Sequence, residues 1–265
     1  MKAPSADYAR RKMAFERCLT VYGRKTVLEA LQSPGVRCER LHLARSNRSA
    51  EILDEIRALA TARGAEIREH DRQELARISR HAREDQGVAA DIVWPGYRPL
   101  ESMLSESPAD GACLIAVDGI GNPQNLGMLI RSATAGGCSG IVLPREGGCD
   151  LGPLAIKASA GTVFRATIFR CRRLGDGLQA LAAQGWRVSA LRADAGKSLF
   201  GPLDPGPRVF VLGGESGGLA KETLALATEH LSVPMAGGVE SLNVAVTAAL
   251  VAYSAGLRAA AQRAR

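Results

Sequence analysis

The sequence predicts an α/β protein in two parts, the second built on a parallel sheet. Three observations carry that prediction. Short apolar runs alternate with helical patterns along nearly the whole chain. In the second half those runs are continuously apolar, as strands buried on both faces are. Between the halves lies "WPGYRPLESMLSESPADG", residues 94–111, rich in proline and serine and without periodicity.

Each element follows from its local pattern. Residues 1–20 are basic and aperiodic, and a flexible arm is expected there. Residues 21–96 read as a small α/β domain. "GRKTVLEALQ" is a helix with Val27, Leu28 and Leu31 on one face, and "CERLHLA" is a strand. "AEILDEIRALATARG" is an amphipathic helix stopped by Gly64, followed by the strand "AEIREH", the helix "RQELARISR" and the strand "GVAADIVW". Residues 97–110 are expected to be linker. In residues 111–265, strands are expected over 113–117, 140–143, 166–169, 187–191, 209–212 and 231–233. Helices are expected over 125–135, 177–184, 220–227 and 242–261, the last strongly apolar and in need of cover. Ligands in such sheets bind at the carboxyl ends of strands, which here hold "DGIGNPQN", "GGESGG" and "PMAGG".

Composition narrows the function classes. Of the 265 residues, 46% are hydrophobic and 23% charged, as in a soluble globular protein. No apolar run is read as long enough to cross a bilayer, and the first twenty residues lack the apolar core of a secretory signal. The net charge of +7 suits a polyanionic partner without proving one. The six cysteines form no C-x-x-C pair and the four histidines are scattered. No metal site or disulfide framework is therefore expected, and a reducing cytoplasm is.

Two motifs mislead. "GESGG", residues 214–218, has the form of a serine-hydrolase elbow, but only His230 follows it, fourteen residues on and inside or just past the next helix, and little sheet remains to carry a triad. "AGKSL", residues 195–199, ends like a phosphate loop, yet Leu191 stands where the loop needs glycine. Lys197 is expected to be a solvated lysine on a surface turn.

Three stretches belong together. "LGGESGGL" turns sharply between a strand and a helix, and Glu215 projects from it, a residue type that often caps a helix start. "SVPMAGG" has Pro234 where a central ladder would need a donor. In "VESLNVAV" either Ser241 or Asn243 can cap the last helix. With "DGIGNPQNLGMLIRSA" these resemble, in order, the signature motifs of the SpoU family of RNA ribose 2′-O-methyltransferases, within the SPOUT superfamily. "IKASAGT" is similar to the same family. "YGRKTVLEAL" and "EDQGVAADI" resemble the substrate-binding domain of its ribosomal-RNA branch.

The resemblance implies a C-terminal SPOUT domain with a deep trefoil knot, preceded by the small substrate-binding domain. It implies S-adenosyl-L-methionine as methyl donor, RNA as substrate, ribosomal rather than transfer RNA, and a cytoplasmic homodimer with active sites at its interface, without a membrane. Cofactor contacts fall on Leu212, Gly213, Val233, Met235 and Leu242, and the catalytic set on Asn125, Arg131, Glu215, Ser241 and Asn243. Two other classes remain: a non-catalytic RNA binder that kept the fold, and the hydrolase. One departure stands out, since Asn122 replaces the family's aspartate before Pro123.

The chemistry asks for alignment of oxygen, methyl and sulfur, which rigid loops and amides supply and which is worth roughly 7–11 kcal/mol in good cases. Arg131 can act as a base only with a strongly depressed pKa; as a charge stabiliser and phosphate clamp it needs no shift, and that role is expected. Arg131 lies two turns into the helix that starts near Asn125, and both are expected to face one pocket. Aromatics are only 4% of the chain, so RNA contact should be electrostatic rather than stacked. The candidates are Arg24, Lys25, Lys157, Arg165, Arg172 and Arg173.

Overall fold

A computed structural model of the chain describes residues 18–105, 107–214 and 217–263. Most of the basic arm, together with Glu106, Glu215 and Ser216, lies outside the described residues. The chain forms two compact units, Met1–Pro95 and Gly96–Arg265.

The first unit is a four-stranded sheet with helices. Its elements are β1 (Leu19–Tyr22), α1 (Arg24–Gln32), β2 (Arg37–Ala44), α2 (Glu51–Ala62), β3 (Glu66–His70), α3 (Arg72–Ser79) and β4 (Val88–Val93). The strand order is β1-β4-β2-β3, with β4 antiparallel to both neighbours and β2 parallel to β3. The expected helices and strands are present, and β1 is an addition that the aperiodic start of the chain did not suggest. It exists because Leu19 pairs with Ile92 and Tyr22 with Ala89 across the sheet. Helix α3 starts with a capping box, in which the Asp71 carboxylate accepts from the Glu74 N–H and the Glu74 carboxylate accepts from the Asp71 N–H.

A polar network is buried in this sheet. The Asp91 carboxylate accepts from Thr20 Oγ1 at 2.7 Å and faces Arg40 Nε at 3.1 Å and His42 Nε2 at 3.2 Å. His42 Nδ1 lies 2.9 Å from His70 Nε2. Burial pushes the Asp91 carboxyl up, but hydrogen bonds from His42 and Thr20 and the nearby positive charge outweigh it and hold the group below its ordinary range. Burial, reinforced by His42, lowers His70. Both folded pKa values are depressed. Both groups therefore add stability that is complete above their unfolded values, about 6.5 for His and 3.9 for Asp, and is lost as pH falls through the folded ones. The melting temperature is expected to drop between pH 7 and pH 5, and His70→Gln should flatten that slope. Thermal scans across this range check it; a flat wild-type profile, or an unaltered slope in the variant, counts against the assignment.

The second unit carries an eight-stranded sheet that is parallel throughout, in the order β10-β12-β9-β11-β6-β7-β8-β5. The elements up to the sheet's middle are β5 (Arg98–Pro99), α4 (Glu101–Leu104), β6 (Cys113–Asp118), α5 (Pro123–Ala135), β7 (Gly140–Pro144), α6 (Pro153–Ala158), a 3-10 turn at Thr162–Phe164 and β8 (Ile168–Cys171). Then follow α7 (Leu174–Ala183), β9 (Arg187–Leu191), β10 (Lys197–Ser198), β11 (Arg208–Gly213), α8 (Lys221–Leu226), β12 (Glu229–Ser232) and α9 (Val244–Arg263). Leu114, Val142, Val188, Val209 and Val211 form the centre of one core cluster with α7.

Several local readings change. Within residues 97–110, Arg98 and Pro99 pair with β8, and Leu100 is buried in the core. The strand expected over 166–169 starts two residues later, because the 3-10 turn and the residues after it occupy the chain first. Arg170 is kept in that strand by an ion pair with Asp150 and by stacking 3.8 Å over the Tyr97 ring. Lys197 is exposed, as expected, but it sits in β10 beside β12 rather than on a turn, 3.1 Å from Glu229 Oε2.

Glycine lets three helices approach closely. A Cβ on Gly127 of α5 would lie 2.2 Å from the Ala155 carbonyl of α6. A Cβ on Gly136 would lie 2.5 Å from Ala252 Cβ, and one on Gly256 would lie 2.8 Å from the Gly136 carbonyl. Helix α9 therefore runs along α5. By length and composition its Val244–Ala261 window is apolar enough to cross a bilayer, contrary to the sequence reading. In the fold one face of it, with Ala248, Val251 and Ala252, is buried, and Val246, Tyr253 and Leu257 are left exposed.

Candidate active site

Parallel pairing brings the carboxyl ends of three neighbouring strands together. Leu191 ends β9, Gly213 ends β11, and Val233 follows β12, with β9 hydrogen-bonded to both others. The start of α9 closes the space beyond them. The result is a cavity of about 490 Å³ lined by backbone of Gly213, Gly214 and Gly218 and by side chains such as Leu191, Leu219 and Thr247. That volume lies within the range of roughly 300–1,000 Å³ usual for small-molecule sites.

All five residues expected at the cofactor, Leu212, Gly213, Val233, Met235 and Leu242, line this cavity, as do Ser241 and Asn243. Asn243 does two things. Its Oδ1 accepts from the Ala245 N–H at 2.8 Å, capping α9, and its Nδ2 donates to Asn125 Oδ1 at 3.1 Å. The capping alternative left open between Ser241 and Asn243 thus goes to Asn243. Asn125, almost fully buried, is tied to the cavity rim through it. The Asn122 departure is also explained. Its side-chain oxygen accepts from the Gln124 N–H at 2.9 Å, so α5 keeps its N-cap acceptor, and Pro123 fills the first helical position.

Two family models match the chain. The SpoU rRNA Methylase family covers residues 112–253, and RNA 2′-O ribose methyltransferase substrate binding covers residues 20–97. The chain belongs to the SpoU rRNA methylase family. It is 34% identical over 233 residues to a protein of Mycolicibacterium vanbaalenii described as an uncharacterized tRNA/rRNA methyltransferase, spanning 87% of this chain and 74% of that one. The AdoMet-bound rRNA methyltransferase of Sinorhizobium meliloti has the same fold, with a TM-score of 0.76, 27% identity and coverage of 94% of this chain and 90% of that one. A structure described by 2-OH methylation of C/U34 on tRNA aligns at 30% identity and a TM-score of 0.52, over 57% of this chain and 99% of its own.

The remaining expected positions of this SpoU methylase are spread more widely. Glu215 is outside the described residues. Arg131 is exposed where Asn125 is buried, and neither is among the residues that line the cavity, where the two were expected to face one pocket. Six residues of helix turn the direction by about 240°, so the two side chains leave α5 on different faces. Arg131 instead shares an exposed stripe with Gln124, Met128 and Ala135. His230, the histidine a hydrolase would need, is exposed on β12 and does not line the cavity.

The basic candidates of this SpoU methylase divide by partner. Lys25 pairs with Glu29 at 2.9 Å, Arg172 with Glu146 at 2.9 Å and Arg173 with Glu222 at 3.5 Å. Arg165 is exposed and Lys157 half-buried. Arg24 donates from Nε to the Gln86 carbonyl at 3.1 Å and lines a cationic hollow of the first unit with Arg48 and Arg72, of about 600 Å³. Sequence reasoning missed Arg48, in a loop without a motif, and Arg72, the first residue of α3. It also missed Leu191, Arg192 and Ala193 at the cavity, although the end of β9 was legible as a strand end. Arg192 grips Asp194 through two bonds, at 2.9 and 2.6 Å, which hold the Asp194 carboxyl below its usual range.

Proposed function

We propose that the chain transfers a methyl group from S-adenosyl-L-methionine to a ribose 2′-oxygen in RNA. The observation that carries this is the cavity at the ends of β9, β11 and β12, with the five expected cofactor residues in its wall and the Asn243–Asn125 pair at its rim. When bound, the cofactor supplies an electrophilic methyl on a positively charged sulfonium. Leu212, Val233, Met235 and Leu242 would exclude water there, while the Gly213 backbone allows close approach. Ser241 and Asn243 would orient the ribose, and Asn125 fixes the Asn243 amide. Arg131 would hold the phosphate beside the target and stabilise the developing alkoxide, because a guanidinium offers five N–H donors and no acceptor. Glu215 joins this set on the resemblance of its motif.

The site is read as completed by a second copy. The exposure of Arg131 supports this, and so does an apolar groove of about 490 Å³ along α9, lined by Phe200, Leu250, Tyr253 and Leu257. Phe200 and Leu257 are 53% and 72% exposed, which is unusual for such side chains in a monomer. Light scattering at micromolar concentration should give a dimer mass. A trefoil knot in the second unit and a cytoplasmic location are proposed with the family assignment.

Ribosomal RNA is the preferred substrate. The rRNA methylase family model over residues 112–253 supports it, as does the likeness to the rRNA methyltransferase of Sinorhizobium meliloti. Arg24, with Arg48 and Arg72 beside it, and Lys25, Lys157, Arg165, Arg172 and Arg173 would meet the phosphate backbone. The test is transfer of tritium from labelled cofactor to ribosomal and transfer RNA, followed by digestion to nucleosides. A labelled 2′-O-methylnucleoside from ribosomal RNA is expected. Label on a base overturns the ribose assignment, and preference for transfer RNA overturns the substrate.

A further inference from the structure

The geometry points to Asp118 as a positioning residue: we propose that it clamps both ends of the glycine turn that walls the cavity, and so sets the cavity's affinity for its ligand. This rests on the reading of that cavity as the S-adenosyl-L-methionine site. Asp118 is the last residue of β6 and lies opposite Gly213 in the parallel pairing with β11. Its backbone carbonyl accepts from the Gly214 N–H at 2.8 Å, where the turn begins. Its side-chain Oδ2 accepts from the Ala220 N–H, also at 2.8 Å, where the turn ends.

The turn between these anchors is closed on itself. The Gly218 N–H donates to the Gly214 carbonyl at 3.2 Å, an isolated antiparallel bridge. Its approach to β6 is as close as backbone allows. A Cβ on Gly214 would lie 2.3 Å from the Gly119 carbonyl, and one on Gly213 would lie 2.4 Å from the Gly218 carbonyl carbon. Gly213, Gly214, Gly218 and Leu219 all face the cavity. Asp118 itself is not among the lining residues, so it acts through them.

The side-chain contact is the part that sequence neighbours cannot supply. Ala220 is the N-cap of α8, and its backbone N–H finds its acceptor on a strand 102 residues earlier. Without that carboxylate the far end of the turn keeps, among the described residues, the Gly214–Gly218 bridge and the packing of Leu219 on the core, and is held less tightly against the cavity.

Calorimetry with S-adenosyl-L-methionine on wild type, Asp118→Ala and Asp118→Asn tests the clamp. Asn keeps an acceptor oxygen at the same place and Ala does not. Asp118→Ala is expected to weaken binding about 10- to 100-fold, as loss of a hydrogen bond to a charged acceptor does, and Asp118→Asn to stay within a few-fold of wild type. In methyl-transfer assays the Ala variant should show a raised KM for the cofactor, with kcat largely kept at saturation. Wild-type affinity in Asp118→Ala overturns the inference, as does an equal loss in both variants. Failure of the wild-type chain to bind S-adenosyl-L-methionine instead overturns the reading of the cavity.

Discussion

Arg131→Ala is expected to slow methyl transfer to RNA by a factor of about 10²–10³, with cofactor affinity unchanged. The two effects separate because the groups sit on different elements. The cavity is walled by the ends of β9, β11 and β12 and the start of α9, while Arg131 projects from an exposed stripe of α5. Removing a side chain there opens no core and leaves the melting temperature near that of wild type. What is lost is an oriented donor for a developing oxyanion and a neighbouring phosphate. Arg131→Lys separates these roles: partial rescue means that charge dominates, and no rescue means that the planar fork must clamp the phosphate. Tritium transfer measured beside cofactor affinity decides the matter. A wild-type rate in Arg131→Ala would make this an ordinary surface arginine.

Gly127→Ala is expected to destabilise the second unit by about 1–3 kcal/mol, as overpacking of a tight contact does. The added Cβ would meet the Ala155 carbonyl at 2.2 Å, Ala158 Cβ at 2.7 Å and Ser159 N at 2.9 Å, so backbone rather than a mobile side chain must give way. At about 2–4 °C per kcal/mol for a domain of this size, the melting temperature should fall by roughly 2–12 °C despite alanine's better helix propensity. An exposed helix position would show the opposite sign. Thermal denaturation of the two proteins checks the direction, and an unchanged or higher melting temperature would mean that α5 and α6 are not packed as closely as described.

The site was legible to the extent that motif and element coincided. The ends of β11 and β12 and the start of α9 carry glycine, proline and capping patterns, and the residues chosen there converge on one cavity. Leu191 to Ala193 were passed over because "LRAD" has no such pattern; they belong to the site only because β9 lies between β11 and β12. Arg131 shows the opposite failure. Its motif selected it, but spacing along a helix does not say what stands opposite an exposed face.

The sequence by itself determined the two-part α/β organisation, most helices and strands, and the parallel character of the second sheet. Those features follow from local periodicity and from the continuous apolarity of strands covered on both sides. Tertiary structure alone decided the rest. Strands β5 and β10 have two residues each and exist only because β8 and β12 offer them a ladder. Helix α6 has six residues and rests on the flat spot at Gly127. The Asp118 clamp and the Asn125–Asn243 bond join residues more than a hundred positions apart. Contacts of that kind depend on which strands become neighbours, and no local pattern encodes strand order.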